Sequence, residues 1–115
     1  MKDFPQHFQE LNEWMAKLGQ VSPKVMEGFG ALHEASVASG ALERKTKELI
    51  ALGIAITVRC DGCISYHVHD ALQAGASADE IAETVSVAIL MGGGPSLVYG
   101  IEAMQALSQY QEQGF

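Results

Sequence analysis

The chain has 115 residues, a length typical of one folding unit around one core, so residues 1–115 are expected to form a single domain. Seven basic and 14 acidic residues give a net charge of −7, which argues against binding to nucleic acid or to an anionic membrane surface. The chain lacks both a run of ~20 apolar residues, as a membrane span requires, and a signal-peptide pattern at its start, so a cytoplasmic protein is expected.

Helix signals recur along the chain, with little evidence for strands between them. Six helices are predicted, at about residues 5–18, 23–38, 43–58, 60–74, 78–91 and 95–111. Gly19 is expected to end the first helix, and Ser22 with Pro23 to begin the second. Ser77 and Glu80 have the spacing of a capping box before the fifth helix. The predicted fold class is therefore all-α.

The third predicted helix is apolar on every side between Leu49 and Ile56, as expected of a helix that is buried all round. The alternative is a buried strand at Ile54 to Val58, because β-branched residues favour strands, although the length of the segment and its flanking charges favour a helix. Six helices of this size could hardly enclose so apolar a segment alone, and 48% of the chain is hydrophobic. The sequence therefore predicts a homo-oligomer.

The two cysteines of the chain, Cys60 and Cys63, are followed by His67 at helical spacing. Residues three and four apart share a helix face, so both sulfurs and the imidazole can meet if the segment is helical from its start. A helix N-terminus and a neighbouring imidazolium both favour the reactive thiolate. A second thiol can trap an oxidised cysteine as a disulfide before irreversible over-oxidation. This spacing indicates redox chemistry.

Other interpretations of these residues remain open. Cys60, Cys63 and His67 could bind zinc with His69 as a fourth ligand, although structural zinc cysteines usually come from turns. The cysteines could also be packed thiols, and His67 a core histidine. His69 points about 200° around the helix from His67 and is expected at the surface or in an interface. The two remaining histidines have no partner pattern and are expected to face solvent: His7 and His33.

Glu48 lies on the third predicted helix in line with Leu52, so it would begin a buried stripe that faces the turn before Cys60. A buried carboxylate there could position or protonate His67. The simpler alternative is an exposed ion pair with Arg44, four residues earlier on the same helix.

Glu48, the eleven residues after it and the segment Cys60-Asp61-Gly62-Cys63-Ile64-Ser65-Tyr66-His67 resemble the AhpD-like, carboxymuconolactone decarboxylase superfamily. The resemblance covers most of the chain and includes the Gly-Gly-Pro break before the last helix. It implies an all-α subunit of about six helices that assembles as a trimer or hexamer. It also implies a peroxidase that reduces hydrogen peroxide or organic hydroperoxides without a cofactor or metal, and whose electrons come from an external dithiol of the lipoyl or thioredoxin type.

The resemblance further implies a role for each site residue. Cys63 would attack the peroxide, Cys60 would resolve the product as a disulfide, and Glu48 and His67 would relay protons. The physical argument leaves the order of the cysteines open, because Cys60 lies nearer the helix N-terminus whereas Cys63 lies one turn from His67. The chain departs from AhpD at Gly62, where AhpD carries a histidine.

Two alternative functions are a non-redox carboxymuconolactone decarboxylase-like enzyme and an oligomeric scaffold or zinc-binding protein. Family members that decarboxylate carboxymuconolactone do not rely on the cysteine pair. The presence of both Cys60 and Cys63 therefore favours the peroxidase.

Overall fold

The computed structural model describes residues 2–115, and this part of the chain contains α-helices and no strand. The helices are α1 (Phe4–Val21), α2 (Pro23–Val37), α3 (Arg44–Thr57), α4 (Asp61–Gln73), α5 (Ala78–Gly92) and α6 (Gly94–Glu112). The all-α prediction is confirmed. The strand alternative for residues 54–58 is wrong, because the helix that contains this segment continues through to Thr57.

The ends of the helices follow the proline and capping signals more closely than the first glycine signal. Gly19 does not end α1, which continues to Val21 and ends before Pro23. The proline ring clashes with a helical backbone at the preceding residue, so it is a stronger stop than a glycine, which a helix tolerates at a modest cost. Ser77 and Glu80 form both hydrogen bonds of the predicted capping box, at 3.1 and 2.9 Å.

Helices α3 to α6 enclose most of the core, with α3 packed on α4 and α5, and α6 packed on α4 and α5. α1 crosses α4 and α6, whereas α2 packs mainly on α1 and touches α3 over a short stretch. The core is built largely of aliphatic side chains, among them Leu52, Ile56, Ile64, Val68 and Ile81. α5 and α6 approach closely at Gly100, where a Cβ atom would lie 2.8 Å from Val85 Cγ1.

Helix α3 is not buried all round within one chain, which agrees with the expectation that six helices of this size can hardly enclose so apolar a segment alone. Leu52 and Ile56 are fully buried, but Ile50 and Ile54 on the other face are 48% and 56% exposed. The apolar character of α3 therefore serves two surfaces, one inside the chain and one on its outside. Large exposed apolar side chains also occur on α1, α2, α5 and α6, and they include Trp14, Val21, Val25, Phe29, Leu32, Leu90, Met91 and Val98.

A buried polar cluster joins the start of α1 to α4 and α6. The hydroxyl of Ser65 on α4 donates to the carbonyl oxygen of Phe4 at 2.5 Å and lies 3.0 Å from the hydroxyl of Tyr110. The side-chain oxygen of Gln109 accepts the backbone N–H of Phe4 at 2.8 Å. These bonds compensate for the desolvation of the buried hydroxyls. Burial of the Tyr110 phenol raises its pKa to about 12.

The raised pKa of Tyr110 predicts a loss of stability at alkaline pH. The folded chain favours the neutral phenol, so this contribution to stability is complete below the unfolded pKa near 10 and is lost as the pH rises through about 12. We expect the free energy of unfolding, measured in urea, to fall more steeply between pH 10 and 12 in the wild type than in Tyr110→Phe. The two slopes should agree between pH 7 and 9; equal slopes at high pH would contradict the prediction.

Candidate active site

A tight turn between α3 and α4 places the cysteines at the start of α4. Cys60 is the N-cap of α4, and its backbone N–H donates to the carbonyl of Ala55 at 3.1 Å. Its sulfur accepts the backbone N–H of Cys63 at 3.2 Å. Arg59, just before it, has φ 61°, the left-handed conformation that non-glycine residues rarely adopt. The chain therefore turns sharply enough to bring both sulfurs to a helix N-terminus.

Cys60 and Cys63 are joined by a disulfide, with their Cα atoms 5.2 Å apart. Both residues are half-buried, so the sulfur pair is neither sealed in the core nor fully exposed. This pairing agrees with the expectation that the two cysteines lie close enough to form a disulfide with each other. Zinc requires thiolates, so the disulfide state and zinc binding through these cysteines exclude one another.

Glu48 and His67 meet across the α3–α4 interface. The Glu48 side chain is completely buried, and its Oε2 lies 3.0 Å from Nδ1 of His67, which is 20% exposed. His67 follows Cys63 by four residues on α4, so the imidazole begins one turn beyond that sulfur. Glu48 therefore lies on the buried side of its contact with His67.

Arg44 does not form the pair with Glu48 that the alternative interpretation of these two residues required. Its guanidinium instead bonds to the carboxylate of Glu34 on α2, at 3.0 and 3.4 Å. This bond raises the pKa of Arg44 and lowers the pKa of Glu34. The alternative of an exposed Arg44–Glu48 pair is wrong because Glu48 is the first residue of the buried stripe, whereas Arg44 lies one turn earlier on an exposed face.

Two residues that the sequence left out lie beside Glu48. One ring nitrogen of His33 on α2 and one carboxylate oxygen each of Asp70 and Glu48 lie within 4.8 Å of one another. The prediction that His33 faces solvent is wrong, since it is half-buried. The second carboxylate oxygen of Glu48, Oε1, is buried and has no hydrogen-bond partner in the described chain. The sequence carries no signal for this contact, because His33 comes close to Glu48 only through the packing of α2 on α3.

The other two histidines belong to the contact of α1 with α4. His69 stacks on Phe8 with ring centroids 4.1 Å apart, and its Nδ1 lies 2.9 Å from Asp70 Oδ1. His7 is also half-buried, and a Cβ at Gly62 would lie 3.4 Å from its Nε2. His7 is therefore not the freely solvated group that the sequence predicted, whereas His69, expected at the surface or in an interface, is half-buried at the contact of α1 with α4. Both are held because α1 lies across the cysteine helix.

The N-terminus of α4 also carries a carboxylate that is fixed by its neighbours. Asp61 lies between the cysteines and accepts hydrogen bonds from Lys2 at 3.2 Å and from the backbone N–H of Gly62 at 2.8 Å. Partial burial of Asp61 acts to raise its pKa, but these two hydrogen bonds outweigh it and lower the pKa below its ordinary value. A negative charge is therefore kept at the positive end of the helix dipole.

The left-handed Arg59 predicts opposite effects of two substitutions. Glycine adopts this conformation freely, whereas a β-branched side chain resists it, so Arg59→Val should be less stable than Arg59→Gly by about 1–2 kcal/mol. Urea unfolding of the two variants, each with the disulfide intact, measures the difference. Indistinguishable unfolding free energies would contradict the backbone argument.

Comparison of the sequence with known proteins gives a consistent result. The sequence profile of the carboxymuconolactone decarboxylase family matches residues 23–106. An uncharacterized protein of Haemophilus influenzae is 37% identical over 106 residues, which cover 92% of this chain and 94% of that protein. An uncharacterized protein of Cupriavidus necator is 34% identical over 102 residues, which cover 89% of this chain and 90% of that protein.

Solved structures of proteins with related sequences have the same fold as this chain. A carboxymuconolactone decarboxylase family protein of Legionella pneumophila superposes with a TM-score of 0.91 at 37% identity, over 96% of this chain and 98% of its own. A Thermotoga maritima protein superposes with a TM-score of 0.78 at 34% identity, over 98% and 96%. A second structure of the same T. maritima protein, a carboxymuconolactone decarboxylase family protein for which an antioxidative role has been suggested, gives a TM-score of 0.71 at 36% identity, over 76% of this chain and 90% of its own.

Proposed function

The chain belongs to the carboxymuconolactone decarboxylase family, and we propose that it is a thiol-dependent peroxidase that reduces hydrogen peroxide or small organic hydroperoxides. The observation that carries this proposal is the half-buried Cys60–Cys63 disulfide at the start of α4, on the same helix as the His67 that bonds to buried Glu48. The sulfur pair and the imidazole lie on α4, and the carboxylate of Glu48 meets that imidazole from α3. The antioxidative role suggested for a T. maritima relative is consistent with it.

The proposed reaction uses the two sulfurs in sequence. The thiolate of Cys63 attacks the peroxide ROOH, so that an S–O bond forms, the O–O bond breaks and the released RO⁻ takes a proton to leave as ROH. The thiol of Cys60 then displaces hydroxide from the sulfenic acid, which leaves as water after protonation. The products are one alcohol, one water and the disulfide. Two electrons pass from the thiols to the peroxide, and an external dithiol of the lipoyl or thioredoxin type returns them by thiol–disulfide exchange.

Glu48 and His67 handle the protons in this proposal. An imidazolium one turn from Cys63 raises the fraction of thiolate and can donate a proton to the departing oxygen. In this proposal the carboxylate of Glu48 accepts the Nδ1–H of His67, which fixes the ring and makes Nε2 the nitrogen that exchanges a proton. The N-cap position of Cys60 stabilises negative charge on its own sulfur, which suits the leaving thiolate when the disulfide is reduced.

Single cysteine variants separate the two roles. Cys63→Ser should abolish peroxide turnover, whereas Cys60→Ser should still consume about one equivalent of peroxide per chain and then stop, because it lacks the resolving thiol. In the reduced wild type, thiol titration after one equivalent of peroxide should show that both thiols are lost. Circular dichroism of each variant controls for folding.

The outcomes of this experiment distinguish the rival functions. Unchanged turnover in Cys63→Ser would remove the proposed mechanism. Thiols that survive peroxide would favour the non-redox decarboxylase or the scaffold. Stoichiometric metal in the purified reduced protein would favour a zinc-binding protein.

We also propose that the chain works as a homo-oligomer, a trimer or hexamer, through its exposed apolar surfaces. Val25, Phe29 and Leu32 form a stripe on the outer face of α2 and are 70%, 59% and 64% exposed. An apolar groove also lies between α3 and α5, and its lining includes Ile54 and Met91. Contiguous apolar surface of this kind is uncommon on monomers and marks association sites.

A charge placed in the α2 stripe tests this assembly. Phe29→Asp should lower the molar mass measured by light scattering at micromolar concentration, because a buried unpaired carboxylate in an interface is costly. Lys24→Asp, an exposed position on the same helix, is the matched control and should keep the wild-type mass. A wild-type monomer at micromolar concentration would contradict the proposal.

A further inference from the structure

The carboxylate of Glu48 has no direct access to water. Its side chain is 0% exposed, Oε2 is engaged by His67 at 3.0 Å, and Oε1 has no hydrogen-bond partner within the described chain. The proposed peroxidase releases and takes up protons in every cycle, as thiols become a disulfide and are reduced again. A proton on Glu48 can therefore reach solvent only through a neighbouring group, either back through His67, which is 20% exposed, or through a second residue.

His33 is placed to be that group. It is half-buried and shares a helix face with Met26 and the buried Val37, so its ring points towards the inside of the fold rather than along the exposed α2 stripe. One of its ring nitrogens lies within 4.8 Å of a carboxylate oxygen of Glu48. Three helices thus converge on this carboxylate, with His33 from α2, Glu48 itself from α3 and His67 from α4.

We infer that His33 is a proton-transfer residue that connects the buried carboxylate of Glu48, and through it His67, to solvent by a second route. The inference rests on the proposed peroxidase function and extends it by one residue. An imidazole suits the task, because it can accept a proton at one ring nitrogen and release one from the other. Transfer over as much as 4.8 Å takes place through a side-chain rotation or one bridging water, since a direct hydrogen bond spans about 3 Å.

The charges around Glu48 favour a shared proton. The groups that face it are His33 from α2, His67 and Asp70 from α4, and Arg44 on its own helix at longer range. The guanidinium of Arg44 is bound by Glu34, so the ionised carboxylates of Glu48 and Asp70 leave negative charge in excess when the imidazoles are neutral. A proton on either His33 or His67 reduces this excess equally, so it can move between them without a change in the total charge of the cluster.

The same oxygen and nitrogen donors could also suit a divalent cation. The existing partners of the two carboxylates favour proton transfer over cation binding at this cluster. Glu48 already accepts a hydrogen bond from His67, and Asp70 already lies 2.9 Å from His69 Nδ1. The guanidinium of Arg44 also supplies positive charge to both carboxylates. Metal binding is therefore an outcome that the test must detect.

The test compares peroxide turnover by the reduced wild type with turnover by His33→Gln and by His33→Ala, each with a dithiol reductant at saturating concentration. We expect kcat to fall about 10-fold to 100-fold with little change in KM. This loss is at or below the lower end of the rate contribution of general acid–base residues, which is roughly 10²–10⁴-fold. Added imidazole should restore turnover in His33→Ala, which a merely structural role would not allow. The matched control is Met26→Ala, which truncates another half-buried side chain on the same face of α2 and should retain wild-type kcat.

Histidine NMR separates failure of this inference from failure of the peroxidase. If the wild type turns over peroxide and His33→Gln does so equally fast, or if imidazole gives no rescue, the inference is overturned. If the wild type has no peroxidase activity, the ¹⁵N titration of His33 decides. Glu48→Gln should shift the titration midpoints of His33 and His67 together, and an unmoved His33 overturns the inference. Stoichiometric zinc binding that is lost in His33→Gln also overturns it.

Discussion

A carboxylate sealed among three helices constrains the whole arrangement of the site. An ionised carboxyl removed from water costs several kcal/mol unless hydrogen bonds and opposite charges compensate. Glu48 meets this requirement through His67 on the neighbouring helix, with His33 close by on a third. The relative positions of α3 and α4 must therefore be kept, because a slip of one turn would leave the buried charge without its partner. The same contact that stabilises the packing also orients the imidazole.

The turn between α3 and α4 connects this buried pair to the sulfur chemistry. Arg59 takes up a left-handed conformation, and α4 begins immediately afterwards with the sulfur of Cys60 as its cap. A helix N-terminus favours negative charge, so the turn delivers the cysteines to the point of the fold where a thiolate is most stabilised. The position of α1 completes the surroundings, since Ser65 on α4 bonds to the carbonyl of Phe4 at its start.

The chain divides its apolar residues between an interior and an outer surface. Leu52 and Ile56 fill the core, while Ile54 on the opposite face of the same helix and Phe29 on α2 are more than half exposed. Helix α2 adds little to the core of its own chain, yet it carries His33 towards Glu48. In the proposed oligomer, cover over the outer stripe of α2 would hold this helix, and with it His33, against α3. Assembly and the proton path would then depend on the same helix.

The sequence by itself determined the helices and identified the residues of the candidate sulfur site. Proline, capping and spacing are local signals, so the amino-acid order alone is enough to recognise the all-α fold, the Ser77 capping box and the succession of Glu48, Cys60, Cys63 and His67. The incorrect predictions were of two kinds. Gly19 was overrated as a helix stop, because glycine weakens a helix without blocking it.

The other errors concern residues whose surroundings come from distant parts of the chain. His33, which is expected in solvent, lies beside Glu48 because α2 folds back on α3, and His7, also expected in solvent, is half-buried because α1 lies across α4. Arg44 bonds to Glu34 rather than to Glu48 for the same reason. Helical periodicity specifies which residues share a face, but not which other helix that face meets. Only the tertiary packing decided which side chains surround the buried carboxylate.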